Sequence, residues 1–463
     1  MRTFFLSHAR SLVILLLLLL PTLAAGQTLP PPITMTDLGT LGGTYGEATA
    51  INHQGDVVGI SNTATGGPYG FVWQNGLMTN LGSWTLPAAI NNQGQVVGWR
   101  DGNGFLWQNG VMTDLGTLGS GSHANAINNQ GQVVGWNIMS PGVWWNRRAF
   151  VWQNGVMQDL GSLTSSGGIT YAMAINDNGQ VVGTSDAPGG YHGFLWQNGV
   201  MTDLGDLGGG GSSAVAINNQ GQVVGNSYAA PLETHAFVWQ NGVMTDLGTL
   251  GGAGSDASAI NDHGQVIGTS YTANGDRHSF LWQNGVMTDL GTLGGNESHA
   301  TAINRQGQVV GYSDTANGER HAFLWHNGVM TDLGTLGGNW SYAVAINEQR
   351  QIVGGSLTTS GERHAVLWTL TPPTPAAQVH ALKTDVQQFV ASGVLNQGQG
   401  NALTVKLDAA LRSLERGQPK VAANQLDAFV HHVEAFQRSG VLSAAQAQPL
   451  VAQANAIIRQ LHR

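Results

Sequence analysis

A unit of about 43 residues recurs eight times in this 463-residue chain, and this recurrence limits the fold more than any other feature. Each unit contains an Ala-Ile-Asn triplet, a Val-Val-Gly-like triplet, a tryptophan and a Thr-Asp-Leu-Gly-like tetrad, always in that order. The tryptophans that mark the units are Trp73, Trp107, Trp152, Trp196, Trp239, Trp282, Trp325 and Trp368. A fixed period of this length is typical of repeat architectures.

Each unit contains four short β-type runs separated by turn signals. In the sixth unit these runs cover residues 259–261, 265–268, 279–282 and 286–290. Asn284-Gly285 joins the last two runs, and Asn-Gly between such runs is the strongest short-range signal for a hairpin. Four strands in about 43 residues predict the blade of a β-propeller, with the Ala-Ile-Asn strand innermost.

The two ends of the repeat array each carry an incomplete unit. Residues 35–38 form an Asp-Leu strand with no tryptophan strand before it, and Trp368 has no Asn-Gly turn after it. We expect these two strands to pair and to close an eight-bladed propeller, because closure removes exposed sheet edges. The predicted fold is therefore mainly β, followed by a small all-α bundle. The alternative fold is an open β-solenoid of the same units.

The first 26 residues have the pattern of a secretory signal peptide. Arg2 and Arg10 supply a basic start, residues 12–20 are apolar, and small residues follow at 24–26. The apolar run is shorter than the roughly 20 residues that a spanning helix needs, although a membrane anchor is the alternative interpretation. We expect a short linker at 27–34 and no transmembrane segment after cleavage.

Composition divides the rest of the chain into two domains and excludes several functions. Residues 27–371 hold eight arginines, no lysine and 22 acidic residues, a net charge of −14, whereas residues 372–463 carry +3. An acidic domain disfavours nucleic acid as a partner. The chain has no cysteine, which excludes disulfides, a cysteine nucleophile and thiolate metal sites. We predict a propeller at 35–370, a Pro-rich linker at 371–375 and a helical module at 376–463.

The recurring strings resemble the HAF family of bacterial extracellular repeats. They include His-Ala-Phe-Leu-Trp at 321–325, Gly-Val-Met-Thr-Asp-Leu-Gly-Thr-Leu-Gly-Gly at 328–338, and Ala-Ile-Asn followed by Gln-Val-Val-Gly within 302–311. The resemblance covers about residues 35–368. It implies a bacterial protein that is secreted, periplasmic or at the cell surface, and it supplies no catalytic residues.

The C-terminal module shows a helical period. Four apolar stripes recur at intervals of three and four residues, and they begin at Val379, Leu403, Leu426 and Leu450. Glycines at 393, 417 and 440 stand where helix C-caps belong. These features predict two αα-hairpins packed as a bundle. With Ala-Phe-Val-His-His-Val at 428–433, the segment is similar to the FIMAH-type helical module of secreted bacterial proteins.

Candidate catalytic and metal groups are few. A histidine recurs in five units, at His192, His235, His278, His321 and His364. On the third strand of separate blades these side chains stand too far apart for one metal, so we assign them a structural role. Arg277, Arg320 and Arg363 are expected to form solvated pairs with the adjacent Asp276, Glu319 and Glu362. We identify no nucleophile with its base, no metal site and no cofactor site.

Tryptophans that break the repeat are the best candidates for function. The six of them are placed by the predicted blade in crossovers or in loops between strands two and three, all on one face. With neighbouring arginines they form a candidate carbohydrate or protein site: Trp84, Trp99, Arg100, Trp136, Trp144, Trp145, Arg147, Arg148 and Trp340. Alternatively, each ring packs its own loop. We predict a non-enzymatic binding or scaffold protein; the alternative is a polysaccharide hydrolase or lyase with carboxylates at the propeller channel.

Overall fold

The computed structural model divides the chain into two compact units, one rich in β-strands and one helical. It describes residues 33–143, 146–164, 167–230, 233–370 and 374–462. The predicted signal peptide, most of the predicted linker at 27–34, Trp144 and Trp145 lie outside the described residues. No helix among the described residues is long and apolar enough to cross a membrane.

The described β residues form 32 strands, which pair antiparallel in sets of four. The first strand, β1 (Ile33–Gly39), precedes the repeats. Units 1 to 4 are β2 (Gly42–Ile51), β3 (Val57–Thr63), β4 (Gly66–Gln74), β5 (Leu77–Ser83); β6 (Thr85–Ile90), β7 (Val96–Arg100), β8 (Asn103–Gln108), β9 (Val111–Asp114); β10 (Gly121–Ile127), β11 (Val133–Ile138), β12 (Arg147–Gln153), β13 (Val156–Asp159); and β14 (Thr170–Ile175), β15 (Val181–Ala187), β16 (Gly190–Gln197), β17 (Val200–Asp203). Units 5 to 8 are β18 (Ser212–Ile217), β19 (Val223–Ala230), β20 (Glu233–Gln240), β21 (Val243–Asp246); β22 (Gly251–Ile260), β23 (Val266–Thr272), β24 (Arg277–Gln283), β25 (Val286–Asp289); β26 (Gly294–Ile303), β27 (Val309–Thr315), β28 (Arg320–His326), β29 (Val329–Asp332); and β30 (Gly337–Ile346), β31 (Gln351–Thr358), β32 (Arg363–Leu370).

The fourth strand of unit 8 comes from the opposite end of the repeat array. β1 pairs antiparallel with β32, from Ile33 opposite Leu370 to Gly39 opposite Ala365. This is the pairing that the two incomplete repeats predicted. Single parallel bridges also link units 6, 7, 8 and 1 into one 16-stranded sheet, whereas units 2 to 5 form four separate four-stranded sheets.

Hydrophobic packing occurs between neighbouring units. Eight buried clusters of the described β residues each combine side chains of two successive units, and one of them joins unit 8 to unit 1. Between units 1 and 2, for example, Val58 and Val72 pack against Phe105 and Trp107. Each sheet therefore buries its alternating apolar residues against the next sheet, because a single four-stranded sheet has no core of its own.

The asparagine of the Ala-Ile-Asn triplet links each unit to the next. Its Nδ2 donates to the main-chain oxygen of the equivalent asparagine one unit further on, at 2.9–3.3 Å. The members are Asn52, Asn91, Asn128, Asn176, Asn218, Asn261, Asn304 and Asn347. Because Asn347 donates to the oxygen of Asn52, the hydrogen bonds form a closed cycle. We call it the asparagine cycle.

The hairpin turns adopt the backbone that the sequence predicted. In the seven Asn-Gly turns between third and fourth strands, the asparagine φ is 50–52° and the glycine φ is 84–85°. Both values are positive, as a type I′ turn requires. In the turns between first and second strands, glycine adopts positive φ in seven units, and Arg350 replaces it in unit 8 with φ 63°.

The helical unit contains four helices among its described residues. They are α1 (Pro375–Ala391), α2 (Gln397–Glu415), α3 (Pro419–Arg438) and α4 (Ala444–Leu461). One buried cluster takes residues from all four, including the predicted Val379, Leu403, Leu426 and Leu450. Gly393, Gly417 and Gly440 follow the first three helices with φ of 65–76°, and Ser443 forms a capping box with Gln446. The predicted helical bundle is confirmed.

Candidate functional site

The two ends of the β unit are distinguished by the connections they carry. The turn end carries the loops between strands one and two and between strands three and four. The loop end carries the loops between strands two and three and the connections between units. Each end has a cavity, of about 510 Å³ at the turn end and about 600 Å³ at the loop end.

The turn-end cavity is lined mostly by the Ile-Asn pairs of the repeats and by the residue after each pair. That third residue carries a carboxylate in three units, at Asp177, Asp262 and Glu348. Asp177 accepts hydrogen bonds from the main chain and side chain of Asn129, and Glu348 accepts from the main chain of Arg305. These carboxylates therefore serve the contacts between units.

Asp262 also has partners, and its ionisation runs against a role as a general acid. Burial alone raises its pKa, but hydrogen bonds from Asn219 and Arg305 outweigh burial, so the pKa is lowered overall. The Arg305 guanidinium lies 2.6 Å from Asp262 Oδ2. A glycosidase acid needs a raised pKa. All three carboxylates that line this cavity are engaged in hydrogen bonds between units.

The described tryptophans of the candidate site all lie at the loop end. Trp84 lies in the connection between β5 and β6, with 57% of its surface exposed. Trp99 and Trp136 lie in the last part of β7 and β11, and Trp340 lies in β30, so these three belong to strands and not to loops as predicted. The strands extend further because residues beyond the repeated triplets still pair, such as Leu86 with Trp99.

These side chains form separate clusters. The Trp136 ring stacks on His123, with centroids 5.1 Å apart, and Arg147 Cζ lies 4.1 Å from the centroid of Trp136. Arg147 Cζ also lies 5.3 Å from the centroid of the Tyr171 ring. Burial is the largest cause that lowers the His123 pKa, and the charge of Arg147 lowers it further. Trp136 is thus a packing residue of its own unit.

Trp340 belongs to a second cluster, where unit 8 meets unit 1. Arg363 Cζ lies 4.3 Å from the Trp340 centroid and 5.1 Å from that of Tyr45. Its guanidinium also lies 3.1 Å from Glu47, which accepts a 2.7 Å hydrogen bond from the Tyr342 hydroxyl. Burial is the largest cause that raises the pKa of Tyr342. This cluster stabilises the contact that closes the cycle of units.

The predicted arginines have other partners than the sequence suggested. Arg277 pairs with Asp256, Arg320 with Asp314 and Arg363 with Glu47, so the expected pairing with the preceding loop acids is wrong. The reason is that each arginine begins a third strand and reaches acids on other strands, which are β22, β27 and β2. Arg100 pairs with Asp101 at 3.3 Å, and the Arg148 guanidinium lies against Gly167.

The arrangement of His123, Trp136 and Arg147 recurs at the loop end of another unit. In unit 7, His299 of the first strand stacks on Tyr312 of the second, and Arg320 of the third strand lies over Tyr312. Unit 3 has the same arrangement with His123, Trp136 and Arg147. We call these three positions, one on each of the first three strands of a unit, the ladder.

Small side chains occupy the ladder in unit 5, and a cavity is found there. The ladder positions carry Ser213, Asn226 and Thr234, which all line the cavity. Unit 4 contributes the wall with Tyr171, Thr184 and Tyr191, and unit 5 adds Tyr228. We call this cavity the loop-end groove. The sequence prediction missed the three tyrosines because it considered only tryptophans and the arginines beside them. An alignment of the eight units would have shown that unit 5 has small polar residues at the ladder positions.

A glycine-rich segment forms one rim of the groove. Gly209 donates to the oxygen of Tyr228, and Tyr228 donates to the oxygen of Gly211. Asp206 accepts from the main-chain nitrogens of Gly208 and Gly210, and His192 Nε2 lies 3.4 Å from its other oxygen. Burial raises the pKa of Asp206, but these hydrogen bonds and the charge of His192 outweigh it, so the pKa is lowered. The rim is therefore held in place.

The recurring histidines pair within their own units. Each Nδ1 lies 2.7–2.9 Å from an aspartate of the outer strand. The pairs are His192–Asp203, His235–Asp246, His278–Asp289, His321–Asp332 and His364–Asp37. Among the described residues, no group of three metal-binding side chains is found. The histidines thus connect the third and fourth strands.

Comparison with known proteins identifies the helical module. Residues 379–459 match the sequence model of the FIMAH domain. The predicted resemblance of that module is confirmed, whereas nothing supports the resemblance of residues 35–368 to HAF repeats, which stays a prediction. The comparison with curated proteins found no match.

Solved structures resemble the chain only remotely. A puromycin-hydrolyzing peptidase of Mycobacterium tuberculosis is 13% identical over 66% of this chain and 56% of its own, with a TM-score of 0.42. A match from a study of two prolyl endopeptidases is 9% identical over 72% and 55%, with a TM-score of 0.45. The putative TolB of Agrobacterium tumefaciens is 11% identical over 54% and 93%, with a TM-score of 0.35. The chain thus spans just over half the length of the two peptidases, and this likeness says nothing about its activity.

Proposed function

We propose that this is a secreted, non-enzymatic binding protein of a bacterium, whose β unit is a closed eight-bladed propeller. Three observations support the propeller: β1 pairs with β32, the hydrophobic clusters continue from unit 8 to unit 1, and the asparagine cycle returns from Asn347 to Asn52. An open solenoid has no contact between its first and last units.

The loop-end groove is the proposed ligand site. The observation that carries this proposal is the set of three tyrosines around the small polar residues of the unit 5 ladder, whereas units 3 and 7 fill those ladder positions with stacked rings and an arginine. The cavity volume lies in the range of ligand sites. Two rings, Tyr191 and Tyr228, are each 51% exposed and present apolar faces. The ligand is a carbohydrate or an extracellular protein.

Of the described tryptophans of the predicted surface, Trp136 lies nearest to this site. Trp136, through Arg147, is in contact with Tyr171 at the edge of the groove, so one stack extends from unit 3 towards unit 5. Secretion is inferred from the pattern of residues 1–26, and the acidic β unit disfavours nucleic acid. At the turn end the carboxylates are occupied, which favours binding over the alternative hydrolase or lyase.

A comparison of full-length variants tests the site. The parent protein, a Tyr191→Ala/Tyr228→Ala variant and a Tyr271→Ala control are incubated with immobilised glycans and with bacterial surface extracts. Tyr271 stands at the position of unit 6 that Tyr228 occupies in unit 5, is 43% exposed and lies outside the groove. We expect the double variant alone to lose binding. If it retains all ligands of the parent, the groove is not the site.

A further inference from the structure

The lining of the loop-end groove indicates which chemistry its ligand has. In units 3 and 7 two rings and a guanidinium fill the ladder, and these side chains contact one another. In unit 5 the same positions carry Ser213, Asn226 and Thr234, which have hydroxyl and amide groups and which line the cavity. Asn226 Oδ1 accepts from the main chain of Ala257, which holds this amide in one orientation.

Charge is balanced around the groove. The carboxylate of Asp256 lines it, and Arg277 Nη2 lies 3.0 Å from that carboxylate. Within the described lining, Asp256 is the one residue with a formal charge at neutral pH. A charged ligand therefore finds no unpaired opposite charge in the lining and loses hydration on entry. The lining favours a neutral ligand with many hydroxyls.

The aromatic walls of the groove favour a ligand that has apolar faces. Tyr191 and Tyr228 are half exposed, and Tyr171 is held by Arg147 on one side. Glycines at 190, 210 and 211 also line the groove and leave room for close approach to the backbone. At Gly190 an added β-carbon would clash with the oxygen of Gly210, so this wall requires glycine.

We propose that the loop-end groove binds a neutral oligosaccharide. Its pyranose C–H faces pack on the tyrosine rings, while its hydroxyls exchange hydrogen bonds with Asn226, Ser213 and the Asp256 carboxylate. This proposal rests on the proposed function and narrows its ligand from carbohydrate or protein to uncharged carbohydrate. A peptide and an acidic polysaccharide are the competing ligands.

Calorimetry on the full-length protein tests the proposal. The neutral probes are cellohexaose, chitohexaose and mannohexaose, and the acidic probe is oligogalacturonate. We expect one or more neutral probes to bind, with an affinity that changes less than about two-fold between about 50 and 500 mM salt. Oligogalacturonate is expected not to bind.

Two variants locate the binding. A Ser213→His/Asn226→Tyr/Thr234→Arg variant installs the ladder of unit 7 in unit 5 and fills the groove without removing a tyrosine. We expect it, like Tyr191→Ala/Tyr228→Ala, to weaken binding by about ten-fold or more, while Tyr271→Ala binds like the parent. Thermal unfolding followed by tryptophan fluorescence verifies that each variant is folded.

The outcomes separate the two proposals. If only a protein fraction of a surface extract binds, and the filled variant loses it, the groove remains the ligand site and the carbohydrate assignment is wrong. Salt-sensitive binding of oligogalacturonate alone also overturns the neutral ligand. If both folded variants keep every ligand of the parent, or if the parent binds neither the neutral probes nor any extract, both proposals are wrong.

Discussion

The turn end and the loop end of the β unit are built from the same eight repeats but vary in opposite ways. At the turn end, all eight units keep the same buried asparagine and the same hydrogen bond to the next unit. At the loop end, the ladder carries His, aromatic and Arg in units 3 and 7 but Ser, Asn and Thr in unit 5. The residue that is identical in all eight units is the one that makes the hydrogen bond between units. The ladder residues, which do not make this hydrogen bond, vary.

The physical reason lies in what each end must satisfy. At the turn end, Asn218 donates both amide hydrogens, to Gln222 and to Asn261, and accepts from the nitrogens of Gln220 and Gln222. No other side chain of that size replaces these four hydrogen bonds. At the loop end the ladder side chains are half buried, and they make no hydrogen bond that recurs in every unit, so the residues there can differ from unit to unit.

The largest expected effect is at the turn end. Replacing Asn218 by Ala leaves buried donors and acceptors unpaired, and we expect the free energy of unfolding to fall by about 2–3 kcal/mol. All 14 tryptophans lie within residues 73–368, so urea unfolding followed by tryptophan fluorescence reports on the β unit. Asn92→Ala is the control, because exposed Asn92 accepts one hydrogen bond from His53. Equal losses in both variants would contradict a special role of the asparagine cycle.

The next effect concerns a filled ladder. Trp136→Ala removes the stacking with His123 and Arg147, and we expect the free energy of unfolding to fall by about 2 kcal/mol. Trp84→Ala, at a 57% exposed ring of the same end, should change it by less than about 0.5 kcal/mol. The same denaturation experiment measures both. If the two variants are equally unstable, Trp136 has no distinct packing role.

The half-buried histidine of the filled ladder in unit 7 makes the stability of the β unit depend on pH. Burial, and to a lesser extent Arg277 and Arg320, lowers the pKa of His299 in the folded state. The unfolded chain then binds the proton more readily, so stability is full above about pH 6.5 and falls as the pH drops below it. In the parent protein we expect the midpoint of urea unfolding to fall between pH 7.5 and pH 5.5. In His299→Gln this fall should be smaller. His263→Gln, at an exposed histidine of the turn end, is the matched control, and an equal change in both variants would contradict the prediction.

The smallest expected effect is a gain at the one turn that departs from the repeat. Arg350 adopts φ 63°, where the other seven units have glycine. Arg350→Gly removes the steric cost of that conformation but increases the freedom of the unfolded chain, so we expect a net gain of about 0.5–1 kcal/mol. Thermal unfolding measures the gain. A loss of stability would mean that the Arg350 side chain makes a compensating contact.

Local features could be predicted because short-range chemistry sets them. Asn-Gly predicted its hairpin turns, and Gly393, Gly417 and Gly440 predicted the ends of the first three helices. The two incomplete repeats also predicted the long-range pairing of β1 with β32, because each lacked the strand that the other supplies. The partners of Arg277 and Arg363 could not be predicted, because the acids that meet them lie 21 residues away in Asp256 and 316 residues away in Glu47. Sequence proximity favoured the wrong partners.

The sequence by itself determined the repeated four-stranded unit, its turns and the helical module, since each depends on residues that are close along the chain. Only the tertiary structure decided that the recurring asparagine links units in a closed cycle and that Ser213, Asn226 and Thr234 stand where units 3 and 7 stack rings and an arginine. Those relations depend on contacts between units, where a side chain acquires its role from whichever group the neighbouring sheet brings beside it.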